Sequence, residues 1–390
     1  MDPQTERAIL ADLESARAAG GQPFVEGEHG SGRVPGDVYT DEQRYRAEIE
    51  RIFFRSWVPV ARASELGEPG SFVARSVERA GVLVTRDDAG VIRAFHNTCI
   101  HRGAAIASAD GCAQRLTCPY HAWSYSLDGR LESVPDPASL PPSFDLSKAR
   151  LGEIGAAVRW GYVFVDVGGR AAPIDAFLGP DLADEFTNFR LDALEHKGRV
   201  ARDGDFDWKA SVENYIEPYH VPSVHRRSIH PLIQTKHAAM ACFGDHSRMV
   251  IPLRAPQLYE GDGGGKPFAP MLPGLNELQR TTTLVYLVWP SLIVNFNPNH
   301  VVTFHVLPLG PGRTHVSLDV YGPPTNGALE AEFWERLRAG YVDFVDEDFH
   351  VVAAVQRGLG GPFKPDLTLT HYERRLRHFR ARVDAWLART

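Results

Sequence analysis

The spacing of apolar positions changes twice in the first part of the chain. Residues 4–19 place Ile9, Leu10 and Leu13 on one side of a helix, and residues 41–55 predict a second, shorter one. A Gly-rich loop separates them. From Trp57 the period drops to two, which predicts strands over 57–61, 71–77, 81–85 and 91–96. Asp87-Asp88-Ala89-Gly90 supplies the turn between the last two. A further hairpin, 123–126 with 130–134, is predicted about Asp128-Gly129, a pair suited to tight turns. Residues 40 to about 155 therefore read as a small all-β domain.

The rest of the chain alternates differently. Residues 160–165 predict a strand, and 205–221 a helix that then breaks. Residues 255–275 carry Gly261-Asp262-Gly263-Gly264-Gly265 and four prolines, so they read as a long irregular loop, either a binding lid or a surface insertion. Strands are predicted over 281–289, 292–296, 300–307 and 314–321, with turns at Asn297-Pro298-Asn299 and Gly310-Pro311-Gly312. A long helix covers 329–359, loosened near Gly340. The class is α+β.

Composition removes some function classes. The chain has 390 residues and a net charge of −7, so it has no basic footprint for nucleic acid. No stretch approaches the roughly 20 apolar residues of a membrane span. The N-terminus Met1-Asp2-Pro3-Gln4 lacks the basic and apolar regions of a signal peptide. Four cysteines in a chain this long make no disulfide framework, which points to a reducing cytoplasm.

Two of those cysteines carry chemistry. Cys99-Ile100-His101 is followed by Cys118-Pro119-Tyr120-His121. Two Cys and two His in two mixed clusters are the ligand set of a Rieske [2Fe–2S] centre. Zinc also accepts Cys2His2, but its sites group like ligands together. Pro119 stiffens the second loop, and Trp123 and Tyr125 stand ready to shield a cluster. Cys112 and Cys242 read as ordinary thiols.

A second metal site is readable further on. The segment 207–225 contains Asn214, Glu217, His220 and His225, with Pro218 and Pro222 on either side of His220. On a helix, Glu217 and His220 lie roughly 60° apart, but His225 lies roughly 140° from His220. The two histidines meet only if the helix bends, and Pro222 is placed to stop it. Two imidazoles and one carboxylate form the facial ligand set of non-haem Fe(II). The carboxylate comes from elsewhere. Phe344, Asp348, Val351, Val352 and Val355 form an apolar stripe on the long helix. A carboxylate on such a face needs a partner. Asp348 is the first candidate and Asp346 the next, while Asp343 and Glu347 read as a solvated face. His230, His237, His96 and His305 read as structural.

With these motifs together the chain resembles the catalytic α-subunit of Rieske non-haem iron oxygenases. The resemblance rests on Cys99-x-His101, Cys118-x-x-His121, Glu213-Asn214-x-x-Glu217-x-Tyr219-His220-x(4)-His225, and Glu347-Asp348 followed by Val355-Gln356-Arg357-Gly358-Leu359. It implies residues 1–39 as an N-terminal helix and linker packing on the catalytic domain, 40–157 as a Rieske domain, and 158–390 as a helix-grip catalytic domain. That last domain is an antiparallel sheet with a long C-terminal helix. It also implies a ring of three α-subunits, in which Glu217 couples the cluster of one subunit to His220 and the iron of the next. Many members carry Asp there. Members acting on quaternary ammonium compounds such as carnitine often carry Glu, as do other subgroups. Ala122 stands where many members have Gly.

The implied reaction takes electrons from NAD(P)H through a reductase, with or without a ferredoxin, to the cluster and then to mononuclear Fe(II). Oxygen from O2 then enters a small organic substrate. The reading is hydroxylation or dihydroxylation of an aromatic compound. The alternative is monooxygenation or demethylation of a quaternary ammonium or methylated substrate. Glu217 and Asn214 act beside the iron, although Asn214 is read equally well as a backbone cap. Phe243, Tyr259, Phe268, Tyr286, Trp289 and Phe296 are available to line a pocket. A Rieske electron carrier is the non-enzyme reading, but it leaves the second half of the chain without a role.

Overall fold

The computed structural model describes residues 1–21, 32–260 and 263–389. Most of the first Gly-rich loop, and Gly261 and Asp262 of the second, lie outside these residues.

The chain opens with helix α1 (Pro3–Ala18), capped by the Asp2 carboxylate, then strand β1 (Arg33–Pro35) and helix α2 (Glu42–Arg51). The following strands are β2 (Val58–Arg62), β3 (Ser71–Val77), β4 (Ala80–Arg86), β5 (Ile92–His96), β6 (Gly111–Cys112), β7 (Leu116–Thr117), β8 (Ser124–Tyr125), β9 (Leu131–Ser133), β10 (Glu153–Arg159) and β11 (Tyr162–Asp166). They form an antiparallel sheet in the order β2-β11-β10-β5-β4-β3-β6 and a three-stranded sheet β7-β8-β9. The β4–β5 turn is held by Asp87 Oδ1, which accepts from the Ala89 and Val91 amides at 3.0 and 2.8 Å. At the β8–β9 turn Gly129 has φ +86°, and any Cβ there would run into the Phe95 ring, so only glycine fits.

Residues 53–177 form one compact unit, and 1–52 with 178–390 form the other. The boundary expected after residue 157 falls inside the β10–β11 hairpin. β11 lies between β2 and β10 in the smaller unit's sheet, so the boundary moves to 177. Residues 40–52 belong to the larger unit, because α2 packs on the last helix.

Helix α3 (Ile174–Phe186) is kinked at Gly179 and leads into the larger unit. Its elements are β12 (Glu195–Gly204), α4 (Trp208–Tyr215), α5 (Val221–Val224), β13 (Ala239–Phe243), β14 (His246–Pro252), α6 (Glu277–Thr281), β15 (Thr282–Val288), β16 (Leu292–Phe296), β17 (Val301–Gly310), β18 (Arg313–Gly322), α7 (Ala328–Leu359), β19 (Asp366–Thr368) and α8 (Arg374–Leu387). The sheet runs β12-β18-β17-β16-β15-β14-β13, all antiparallel. Helix α7 packs on β12 and on α4, and α4 packs on β17 and β18. This is the expected antiparallel sheet with its long helix. Gly340 does not interrupt α7. The buried residues of α7 are Trp334, Tyr341, Val345, Asp348, Val352 and Leu359, while Val355 is 47% exposed. Val355 of the expected stripe therefore lies off the buried line, which continues to Leu359. α1 packs on β13.

Candidate functional site

In the smaller unit, two loops bring Cys99, His101, Cys118 and His121 together. Both cysteines are 2% exposed and sit in one core cluster with Trp123 and Tyr125. The rings of His101 and His121 lie edge-on, 4.6 Å apart, nearer the surface. Each loop closes on itself. The Cys99 amide donates to Ala104 O at 2.8 Å, and the Cys118 amide to Trp123 O at 2.9 Å. Tyr125 places its hydroxyl 3.1 Å from Cys99 Sγ, and Trp123 stacks on His101 at 4.7 Å. Burial and the nearby Cys99 push the Tyr125 phenol up, so it stays protonated and able to donate to sulfur. His121 Nδ1 is buried without a hydrogen-bond partner. A buried orphan nitrogen beside two buried thiols fits a metal cluster better than a bare core.

The larger unit holds the other site. α4 ends at Tyr215, earlier than expected, because Pro218 disfavours helical geometry at Glu217. Glu217 Oε2 then accepts the amides of Tyr219 and His220, the latter at 3.2 Å, and closes a tight turn. Pro222 does not stop a continuous helix; it sits in the first turn of α5, where a missing N–H costs nothing. The buried Arg375 of α8 donates to the carbonyl of Ile216 at 3.2 Å and anchors the turn from behind.

That turn and α5 bring His220 and His225 to Asp348 on α7. Atoms of all three lie within 4.8 Å of one another, the only such group among the described residues. Asp348 Oδ1 is 2.9 Å from His225 Nε2 and 3.7 Å from His220 Nε2. Asp348 is 1% exposed, and its Oδ2 is buried with no partner. Both histidines are oriented from behind. His220 Nδ1 is bound by Glu217 Oε1, and His225 Nδ1 lies 2.7 Å from Glu347 Oε2. Ser228 Oγ donates to the same Glu347 oxygen at 2.8 Å. Imidazoles whose Nδ1–H is tied to a carboxylate and whose Nε2 converges with a third oxygen are the arrangement of a metal site. Burial works against a charged His220, but the Glu217 carboxylate outweighs it and makes the ring more basic. The residues therefore fit a divalent iron.

Several expectations change here. Glu347 is not part of a solvated acidic face; it is the partner of His225. Asp346 points away, 3.3 Å from Arg202. His230 and His237 do not join the group. Asn214 lines the cavity beside His220, and its Nδ2 is buried without a partner, so no backbone capping by that amide group is found.

The cavity has a volume of about 490 Å³. Of the aromatic residues expected to line it, Tyr259 and Phe268 do. Tyr286 and Phe296 do not, because strand alternation turns them to the other face; Trp289 lies past the end of β15 and packs on Phe379 and Trp386 of α8. Val285 and Ile293 face the cavity instead, while Tyr286 and Phe296 pack on Phe186. Phe243 is not among the lining residues either.

Residues 191–389 match the ring-hydroxylating α-subunit catalytic domain, and 56–145 match the Rieske [2Fe–2S] domain. The chain belongs to the ring-hydroxylating α-subunit family of Rieske oxygenases. It is 26% identical to the glycine betaine monooxygenase oxygenase subunit of Chromohalobacter salexigens, over 92% of this chain and 86% of the relative. It is 28% identical to the large oxygenase component of salicylate 5-hydroxylase from a Ralstonia species, over 73% and 74%. The quaternary ammonium Rieske monooxygenase CntA shares the fold, with a TM-score of 0.79 at 23% identity over 92% and 96% of the two chains.

As a Rieske terminal oxygenase, the protein carries a Rieske cluster and a mononuclear iron and takes electrons from a partner reductase. The zinc and pure-carrier readings fall with the match to both domains. No helix among the described residues is long and apolar enough to cross a membrane.

Proposed function

We propose that this oxygenase inserts oxygen into a small aromatic compound. In this reading Cys99, His101, Cys118 and His121 hold the cluster, and His220, His225 and Asp348 hold the iron. The convergence of the two Nε2 atoms on Asp348, with both Nδ1 atoms tied to carboxylates, carries the iron assignment. Iron bound there supplies open positions for O2 and for chemistry on a neighbouring substrate.

Glu217 positions His220 and is the residue through which electrons reach it. The family resemblance supports a homotrimer in which that route starts at a neighbouring subunit's cluster. It also supports a ferredoxin as a further donor. Asn214 offers its free amide to whatever lies beside the iron. None of the four cysteines is in a disulfide, which supports a cytoplasmic setting.

The cavity wall supports an aromatic substrate. One side of it is aliphatic, with Met249, Ile251, Leu253, Val285 and Ile293, and aromatic and polar side chains line the rest. Glu217 is the one carboxylate in the wall among the described residues, and it is already engaged with His220. A quaternary ammonium cage needs free aromatic faces. Here Tyr215 is stacked on Phe304 at 4.3 Å and Phe344 on His225 at 4.4 Å, so those faces are covered. Tyr259 and Phe268 keep a quaternary ammonium substrate as the second reading, together with the glycine betaine relative and Glu217.

The test is NAD(P)H-dependent O2 uptake by the holoenzyme with a compatible reductase, screened against aromatic acids and quaternary amines. Hydroxylated aromatic product is expected. Product from quaternary amines alone establishes the second reading, and no product from either sinks both.

A further inference from the structure

One polar seam crosses the cavity wall, and its hydrogen-bond directions follow one from another. Asn299 Nδ2 donates to the carbonyl of Ala269 at 3.2 Å, so its Oδ1 is the atom facing His300. His300 Nδ1 is 2.7 Å from that oxygen and must carry the ring proton. Nε2 is then an acceptor. The Tyr341 hydroxyl lies 2.9 Å away and donates to it, with Asn297 Nδ2 pointing at the same nitrogen from 3.2 Å. His300 is buried, and burial pushes its imidazole down to about 3, so a second ring proton does not reverse these directions near neutral pH.

The consequence falls on Tyr341. Its single proton is committed to His300, while its oxygen keeps lone pairs in a side chain that lines the cavity. A phenol held this way accepts and does not donate. A ligand O–H or N–H gains a hydrogen bond there. An ether, carbonyl or carboxylate meets a lone pair and gains nothing. Sites with fixed polar direction discriminate more sharply than apolar walls do.

We propose that Tyr341 Oη receives an O–H or N–H substituent of the substrate, so that the aromatic compound is of the phenol or aniline class. This rests on the aromatic reading given above. His300 is the positioning residue, acting through Tyr341.

The test is anaerobic calorimetry of the holoenzyme with phenol and with anisole. The wild-type enzyme is expected to bind phenol about 5–10-fold more tightly, the worth of one net hydrogen bond. Tyr341→Phe should bring the ratio close to one, with the cluster absorption and iron content unchanged. His300→Leu releases the Tyr341 proton, so the ratio should move toward anisole. An unchanged ratio in Tyr341→Phe overturns the proposal, as does a wild type that binds both probes equally or neither. Binding is read without turnover. A failure to oxygenate aromatic compounds therefore counts against the function, whereas a failure to discriminate these probes counts against Tyr341.

Discussion

At the scale of single residues, the two neighbours Glu347 and Asp348 do different work from consecutive positions on α7. Asp348 points inward to both histidines, and Glu347 reaches His225 from the other side. Removing a ligand and removing its orienting partner have distinct consequences. Asp348→Ala is expected to lose the mononuclear iron and turnover while keeping the cluster's visible absorption. Glu347→Ala should keep the site but weaken iron binding about 10–100-fold, read by competition with a chelator. Equal iron affinity in Glu347→Ala and the wild type would remove its role. Asp348 was legible in the sequence because a carboxylate interrupts an apolar stripe and demands a partner. Glu347 was not, because an acidic side chain one position round the helix looks solvated until His225 is placed. His300 and Tyr341 were hidden for a similar reason: a lone histidine near a turn carries no signal of what it faces. Ala122 has φ +53°, the left-handed region that favours glycine, so the departure from the family's Gly carries some backbone strain.

At the scale of elements, legibility follows how far burial can be read from local pattern. β15 to β18 alternate or run apolar between clear turn residues, and their bounds emerge within a few positions. β12 and α8 do not. β12 is a polar edge strand, and α8 buries Arg375, Arg377 and Arg380, residues that a pattern assigns to solvent. Arg380 is buried because it pairs with Glu213 of α4. β12 is also held to β18 by charge. Arg199 and Asp319 are directly opposite, 2.7 Å apart, and His196 lies 2.7 Å from the same carboxylate oxygen. Burial alone would raise Asp319, but hydrogen bonds from His196 and Arg199 outweigh it and hold it below the ordinary 3.8. A depressed folded pKa means that the stabilisation is present above the unfolded value and lost as pH falls through the folded one. Asp319→Asn should therefore cost about 1–3 kcal/mol at pH 7. The difference from wild type should shrink steadily as pH falls below about 4. Urea unfolding at several pH values reads this directly, and a pH-independent gap would contradict it.

At the scale of the whole molecule, the two metal sites are built in different compact units. The cluster loops lie within 53–177, and the iron residues within the unit formed by 1–52 and 178–390. Each unit has its own sheet and core, so unfolding need not be a single transition. Iron binds the folded site and not the dispersed ligands, which stabilises that unit by about 4 kcal/mol at a thousandfold excess over Kd. In a unit of this size, that corresponds to a shift of about 10 °C. Without iron, Asp348 leaves one carboxylate oxygen buried and unpartnered, a further cost to the apo state. Chelating the mononuclear iron under conditions that spare the cluster should lower one calorimetric transition by about that amount. The loss of the cluster's visible absorption on heating, which reports on Cys99 and Cys118, should stay where it was. Both signals can be followed in parallel scans of one preparation. An equal fall in both would be incompatible with an iron site drawn from His220, His225 and Asp348 alone.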